Sequence, residues 1–238
     1  MTVTLRIDGL AKRFGDVTAL ASASFDMRPG ELLGLIGPNG SGKTTLLECV
    51  AGVRDADAGT VVFGDSALAP RERKNALFFL PDAVRPWPDQ RVAWMLEFID
   101  GLFGAEDGLR LWVRGALRLE PLLDKRIGSL SKGELKRTLV GASLLTPQPF
   151  LLLDEPFDGL DLRQARDLAA VLRAHAARGR GLCLSIHQLA DAARLCDRLV
   201  LLADGRTAAE GTLDELRTRA GLAPDTPAGI EEVFLALT

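Results

Sequence analysis

Short β-rich segments open the chain. Val3 to Ile7, Ala21 to Met27 and Glu31 to Ile36 read as strands, and the last runs into a glycine-rich turn. A helical pattern follows from Lys43 to about Gly52, then two more strands, Val61 to Phe63 and Ala76 to Leu80. From Gln90 to Leu119 the pattern becomes helical, with Val92, Leu96, Ile99, Leu102 and Phe103 at near-helical spacing; Pro86 and Pro88 mark its entry. Another helix is expected from Gly133 to Leu145. Beyond it the chain alternates: strand Phe150 to Leu153, helix Leu162 to Ala177, strand Leu182 to Ile186, helix Leu189 to Leu195, strand Leu199 to Ala203. Uninterrupted apolar strands separated by helices predict a parallel sheet covered on both faces. The fold expected is α/β: one domain over 1–238, with a core lobe at about 1–81 and 147–238 and a helical insert at about 82–146.

Composition narrows the picture little. The 238 residues are 47% hydrophobic and 26% charged, as in an ordinary folded protein. A net charge of −3 gives no argument for nucleic-acid binding, and none is expected. The first residues, Met1 to Asp8, lack the layout of a secretory signal, and no apolar run approaches the ~20 residues that cross a bilayer. Membrane work would therefore need a partner. Cys49, Cys183 and Cys196 are widely spaced and read as small apolar fillers in a reducing compartment, which places the chain in the cytoplasm.

The chemistry is concentrated in two places. Gly37-Pro38-Asn39-Gly40-Ser41-Gly42-Lys43-Thr44-Thr45 fits the phosphate-loop pattern G-x-x-x-x-G-K-[ST], with a strand before it and a helical pattern after it. Its glycines let successive N–H groups converge on phosphate oxygens, aided by the positive end of the following helix. Lys43 supplies a point charge, and the Thr44 hydroxyl is a hard ligand suited to Mg²⁺. Phe150 to Leu153 then delivers Asp154 and Glu155 at a strand's carboxyl end, where ligands sit in open α/β sheets. Asp154 suits the Mg²⁺ shell, and Glu155 can orient or deprotonate a water aimed at the γ-phosphate. Read alone, Asp154 and Glu155 are equally a strand ending in polar residues.

Between these motifs, Leu130-Ser131-Lys132-Gly133-Glu134 opens a helix. Here the chain resembles the ATP-binding subunits of ABC transporters, whose signature reads LSGGQ. The resemblance runs in order over nearly the whole sequence. It implies a P-loop NTPase of RecA-like type, with an N-terminal antiparallel β subdomain and ATP and Mg²⁺ as ligands. Phe14 matches the ring that stacks on adenine, Gly159-Leu160-Asp161 the D-loop, and His187 the switch histidine. Ser131, Gly133 and Glu134 would face the ATP of a second subunit. The resemblance thus implies two copies, or one copy and a paralogue, closing head to tail on ATP, with a permease as the membrane partner at the cytoplasmic face of the inner membrane. His175, in a helix rich in Ala and Arg, is read as structural.

Departures from the family pattern are informative. Lys132 and Glu134 replace glycine and glutamine beside the anion-gripping groups. Asp82 falls where the family places a glutamine, adding negative charge near phosphates while remaining a candidate Mg²⁺ ligand. Trp87, between two prolines in the region that contacts the membrane partner, is either an exposed anchor or part of a locally packed loop. The last segment, with Ile230, Val233, Phe234 and Leu237 at helical spacing, reads as a docked amphipathic helix. Its wording and Leu130 to Glu134 resemble bacterial exporters of drugs, haem, lipids or sodium that keep ATPase and permease on separate chains. The alternatives are a soluble ABC ATPase of translation or DNA repair, disfavoured by the single short domain, and a P-loop kinase or GTPase. The signature residues and the lack of an Asn-Lys-x-Asp string disfavour that last class.

Overall fold

A computed structural model describes residues 3–222 and 230–238. The first half contains strands β1 (Leu5–Phe14), β2 (Val17–Met27) and β3 (Leu32–Ile36), helix α1 (Lys43–Ala51), and strands β4 (Ala58–Phe63), β5 (Ser66–Ala67) and β6 (Leu77–Leu80). Helices α2 (Val92–Phe103), α3 (Asp107–Ala116) and α4 (Lys132–Leu144) follow, then β7 (Phe150–Leu153). The rest is α5 (Leu162–Ala176), β8 (Gly181–Ile186), α6 (Leu189–Leu195), β9 (Arg198–Ala203), β10 (Arg206–Gly211), α7 (Leu213–Arg219) and α8 (Ile230–Leu237).

Ten strands form one sheet in the order β5-β4-β1-β2-β10-β9-β3-β8-β7-β6. β9, β3, β8, β7 and β6 run parallel, whereas β1, β2, β4 and β5 pair antiparallel. Every residue of β3, β7 and β8 is buried, as expected of parallel strands covered on both faces. One apolar layer lies under α1 and includes Leu46, Leu47 and Phe150. The other is continuous from the sheet (Leu153, Leu184) through α5 (Leu168) into the helical insert (Leu96, Val113, Leu139). The insert therefore shares its core with the sheet. Trp112 of α3 reinforces the join by stacking on His175 of α5, centroids 6.2 Å apart and planes 16° apart. Val233 of α8 is fully buried against the same layer, as its spacing predicts.

Three expectations change. The helix expected over Gln90–Leu119 is two helices. Gly104 closes α2 in the left-handed region at φ 67°, donating its N–H to the Asp100 carbonyl, and Glu106 restarts the chain in an extended conformation. β1 and β2 extend to a tight turn at Gly15-Asp16, well past the expected Ile7 limit and starting before Ala21. β10 and α7 were not anticipated, although both carry local signals. Asp204 (φ 47°) and Gly205 (φ 69°) form the two-residue turn that folds β10 onto β9. Thr212 and Glu215 form a capping box at the start of α7.

Candidate functional site

The carboxyl ends of β3, β8, β7 and β6 are neighbours, and each delivers one part of the site. β3 leads into the phosphate loop. Gly37 must be glycine, because a Cβ there would overlap the Leu202 carbonyl and the Ser41 hydroxyl. Gly40 (φ 83°) and Gly42 (φ 103°) adopt left-handed conformations open to them. α1 starts at Lys43 with Gly42 as its N-cap and no side-chain cap, so the first N–H groups of the helix face the loop. Pro38 and Asn39 are exposed at the rim, and Thr45 is half-buried on the first turn of α1.

Lys43 is buried and folds back onto the loop, its Nζ donating to the carbonyls of Gly37 (2.8 Å) and Pro38 (3.1 Å). Burial pulls its pKa below the usual lysine value, and the charges of Glu155 and Asp154 partly offset that. The Ser41 hydroxyl is buried without a partner. An ammonium paired only with carbonyls, a bare helix N-terminus and an unpaired buried hydroxyl make a set of donors that fits a polyphosphate.

At the end of β7, Asp154 is buried and held on both oxygens: Oδ2 accepts from Thr44 Oγ1 (2.9 Å) and Oδ1 from Ser185 Oγ (2.5 Å). Ser185 Oγ also accepts the Glu155 N–H at 2.8 Å. Glu155 sits at φ +50°, a strained conformation for a side-chain-bearing residue. That turn brings its Oε1 within 2.5 Å of His187 Nε2, just beyond β8. The Thr44 hydroxyl and the Asp154 carboxylate together are hard oxygen donors that suit a small divalent cation.

Asp82, after β6, lies beside these groups: carboxylate oxygens of Asp82, Glu155 and Asp158 are all within 4.8 Å of one another. Two lysines of α4 offset the charge. Lys136, buried, reaches Asp82 at 2.7 Å, and the more exposed Lys132 reaches Asp158 at 2.6 Å. The Lys132 ammonium holds the Asp158 carboxyl below its ordinary pKa, and Asp158 in turn raises that of Lys132.

Other expected residues lie apart from the phosphate loop. Ser131 caps α4, its hydroxyl accepting the Glu134 N–H, while Glu134 Oε2 accepts the Ser131 N–H and Oε1 pairs with Lys125 at 2.8 Å. Lys125 and that main-chain bond hold the Glu134 carboxyl low. Gly133 packs against the Gly159 carbonyl and Gln164, where an added Cβ would lie 3.1 Å from the carbonyl oxygen and 2.8 Å from the Gln164 side-chain oxygen. Asp161 caps α5 by accepting the Gln164 N–H at 2.8 Å. None of these four bonds to the phosphate loop in the described part of the chain. Phe14, at the end of β1, is 42% exposed with the Arg54 guanidinium 4.9 Å from its ring centroid.

Ser185 and Lys136 were not anticipated. Ser185 had a signal: a lone hydroxyl in the apolar run Leu182 to Ile186 must find a partner when buried. Lys136 had none, since its partner is 54 residues away.

These features define a phosphate-loop nucleotide-binding domain of α/β type. The ABC transporter family model matches residues 20–158. The Nod factor export ATP-binding protein I of Ralstonia nicotianae is 34% identical over 223 residues, 91% of this chain and 70% of that protein. The sulfate/thiosulfate import ATP-binding protein CysA of Xanthomonas campestris pv. campestris is 37% identical over 94% of this chain and 66% of its own length. A solved ATP-binding subunit of an ABC transporter superposes with a TM-score of 0.87 at 27% identity, covering 98% of each chain. The chain belongs to the ABC transporter family, as an ATP-binding subunit that hydrolyses ATP. Such subunits dimerise and work with a membrane permease. Among the described residues no helix is long and apolar enough to cross a membrane.

Proposed function

We propose that this chain drives an exporter whose permease is a separate polypeptide, and that two nucleotide-binding chains close head to tail on two ATP molecules, either two copies of this one or this one and a paralogue. The observation carrying this reading is the division of the site. Lys43, Thr44, Asp154, Glu155 and His187 meet at adjacent strand ends, whereas Ser131 and Gly133, expected to grip an anion, sit at the start of α4 and bond to none of them. A γ-phosphate held in the cradle would need those groups from a neighbouring chain, which makes ATP a ligand of the closed dimer and shifts the population toward it.

In this reading Gly37 to Thr45 wrap the triphosphate, Lys43 leaves its carbonyl partners for the outer phosphates, and Phe14 stacks on the base. Thr44 and Asp154, with Asp82 at the edge, would hold Mg²⁺, which supplies charge neutralisation at the phosphates. Glu155 orients the attacking water and accepts its proton, and His187 fixes the Glu155 carboxylate until a γ-phosphate arrives. Ser131, Gly133, Glu134 and Asp161 serve the partner's nucleotide.

Export is favoured by the naming of the Ralstonia relative; the sulfate importer relative supports the opposite direction. An exposed aromatic patch supports permease docking. Trp87 (59% exposed) stands edge-on to Trp94 and Phe98, which stack at 5.3 Å. The docked chain would lie at the cytoplasmic face of the inner membrane.

Glu155→Gln tests the mechanism. ATP binding should persist, turnover should fall by at least about 100-fold, and the protein should elute as a dimer in saturating ATP and Mg²⁺. A monomer under those conditions would reject the closed-dimer reading.

A further inference from the structure

We infer that Arg54 is a positioning residue for nucleotide recognition: it holds the Phe14 ring as a cation-backed platform and so sets the preference for a purine base. The inference rests on the reading of Phe14 as the base-stacking ring. The Arg54 guanidinium carbon lies 4.9 Å from the Phe14 centroid, and the Lys12 ammonium 5.8 Å from it. Both distances are within the ~6 Å over which a cation is drawn to a ring's negative π face. Neither cation is loose. Arg54 Nε is tied to Glu48 Oε2 at 2.5 Å, and its backbone N–H donates to the Glu48 carbonyl. Lys12 is tied to Asp57 at 2.7 Å, and the same carboxylate accepts the Arg13 N–H, which fixes the strand end that carries Phe14.

Two consequences follow from that geometry. A cation over an aromatic ring polarises its π cloud, leaving the ring a better stacking surface for an electron-rich base. A stack reads area rather than hydrogen-bonding edges, so a two-ring purine gains more from it than a one-ring pyrimidine. The second consequence concerns distance. Glu48 lies on α1, the helix that begins at the phosphate-loop residue Lys43. The series Lys43, α1, Glu48, Arg54, Phe14 therefore ties the phosphate cradle to the base platform, with Arg54, just past the end of α1, bonded back onto Glu48.

The test is titration of ATP and of CTP, each with Mg²⁺, into the full chain and its Arg54→Met, Glu48→Gln and Phe14→Ala variants. Arg54→Met should weaken ATP about fivefold and CTP by less than about twofold, so that the purine preference shrinks. Glu48→Gln, which replaces the ion pair by a neutral hydrogen bond and so loosens the guanidinium without removing it, should shift the ratio in the same direction. Arg54→Met made in the Phe14→Ala background should then have no further effect. Equal weakening of both nucleotides would reduce Arg54 to a long-range charge and overturn the inference. Tighter ATP binding would overturn it too, since the guanidinium would then be competing with the base. Should Phe14→Ala weaken ATP while Arg54→Met leaves the ratio intact, only the role of Arg54 falls. Should Phe14→Ala change neither nucleotide, base stacking on Phe14 itself is wrong.

Discussion

His175 is a buried side chain whose surroundings forbid its charge. Burial and the adjacent cations Arg180 and Arg178 hold its pKa down to about 4, against an ordinary 6.5. Its Nε2 lies 3.2 Å from Arg180 Nη1, and the stacked Trp112 covers its face. The unfolded chain takes up a proton near pH 6.5 that the native state refuses until pH 4. Stability contributed by the neutral ring is therefore complete above pH 6.5 and falls as pH drops toward 4. The loss attributable to this residue should reach about 3 kcal/mol, and urea titrations of wild type and His175→Gln should show a flatter acid limb in the variant. Parallel limbs would refute it. The sequence allowed His175 to be read as structural, yet its partners Arg180 and Trp112 meet it only in three dimensions.

At the level of elements, legibility followed locality. Gly37 to Thr45 was readable because loop and flanks form one contiguous pattern, and β7 announced Asp154 and Glu155 by its unbroken apolar run. The antiparallel strands were harder, since their length is set by pairing across the tight turns at Gly15-Asp16 and Asp204-Gly205. The break between α2 and α3 depended on Gly104, which helical periodicity alone cannot flag. The phosphate loop itself is tied to the sheet at Gly37. Gly37→Ala should force its new methyl into the Leu202 carbonyl on β9 and cost about 2 kcal/mol or more of stability, besides weakening ATP binding. Denaturant unfolding at wild-type stability would show that the loop has room to yield.

For the whole molecule, the patch of Trp87, Trp94 and Phe98 gathers three of the four exposed aromatic side chains among the described residues. In the sequence Trp87 reads as either an exposed anchor for the partner or part of a locally packed loop; the structure shows a ring that packs on Trp94 and Phe98 and keeps 59% of its surface exposed. Trp87→Ala should leave basal ATPase unchanged and weaken co-purification with the permease about tenfold or more, the loss typical of a buried aromatic anchor. Undiminished recovery of the complex would move the docking surface elsewhere.

The apolar layer that passes unbroken from β7 and β8 through α5 into α2, α3 and α4 also limits how the helices can travel during turnover. Swinging them outward would flood Leu96, Val113 and Leu139 with water, so any stroke must be a short shear, side chains slipping past one another in a seam that stays dry.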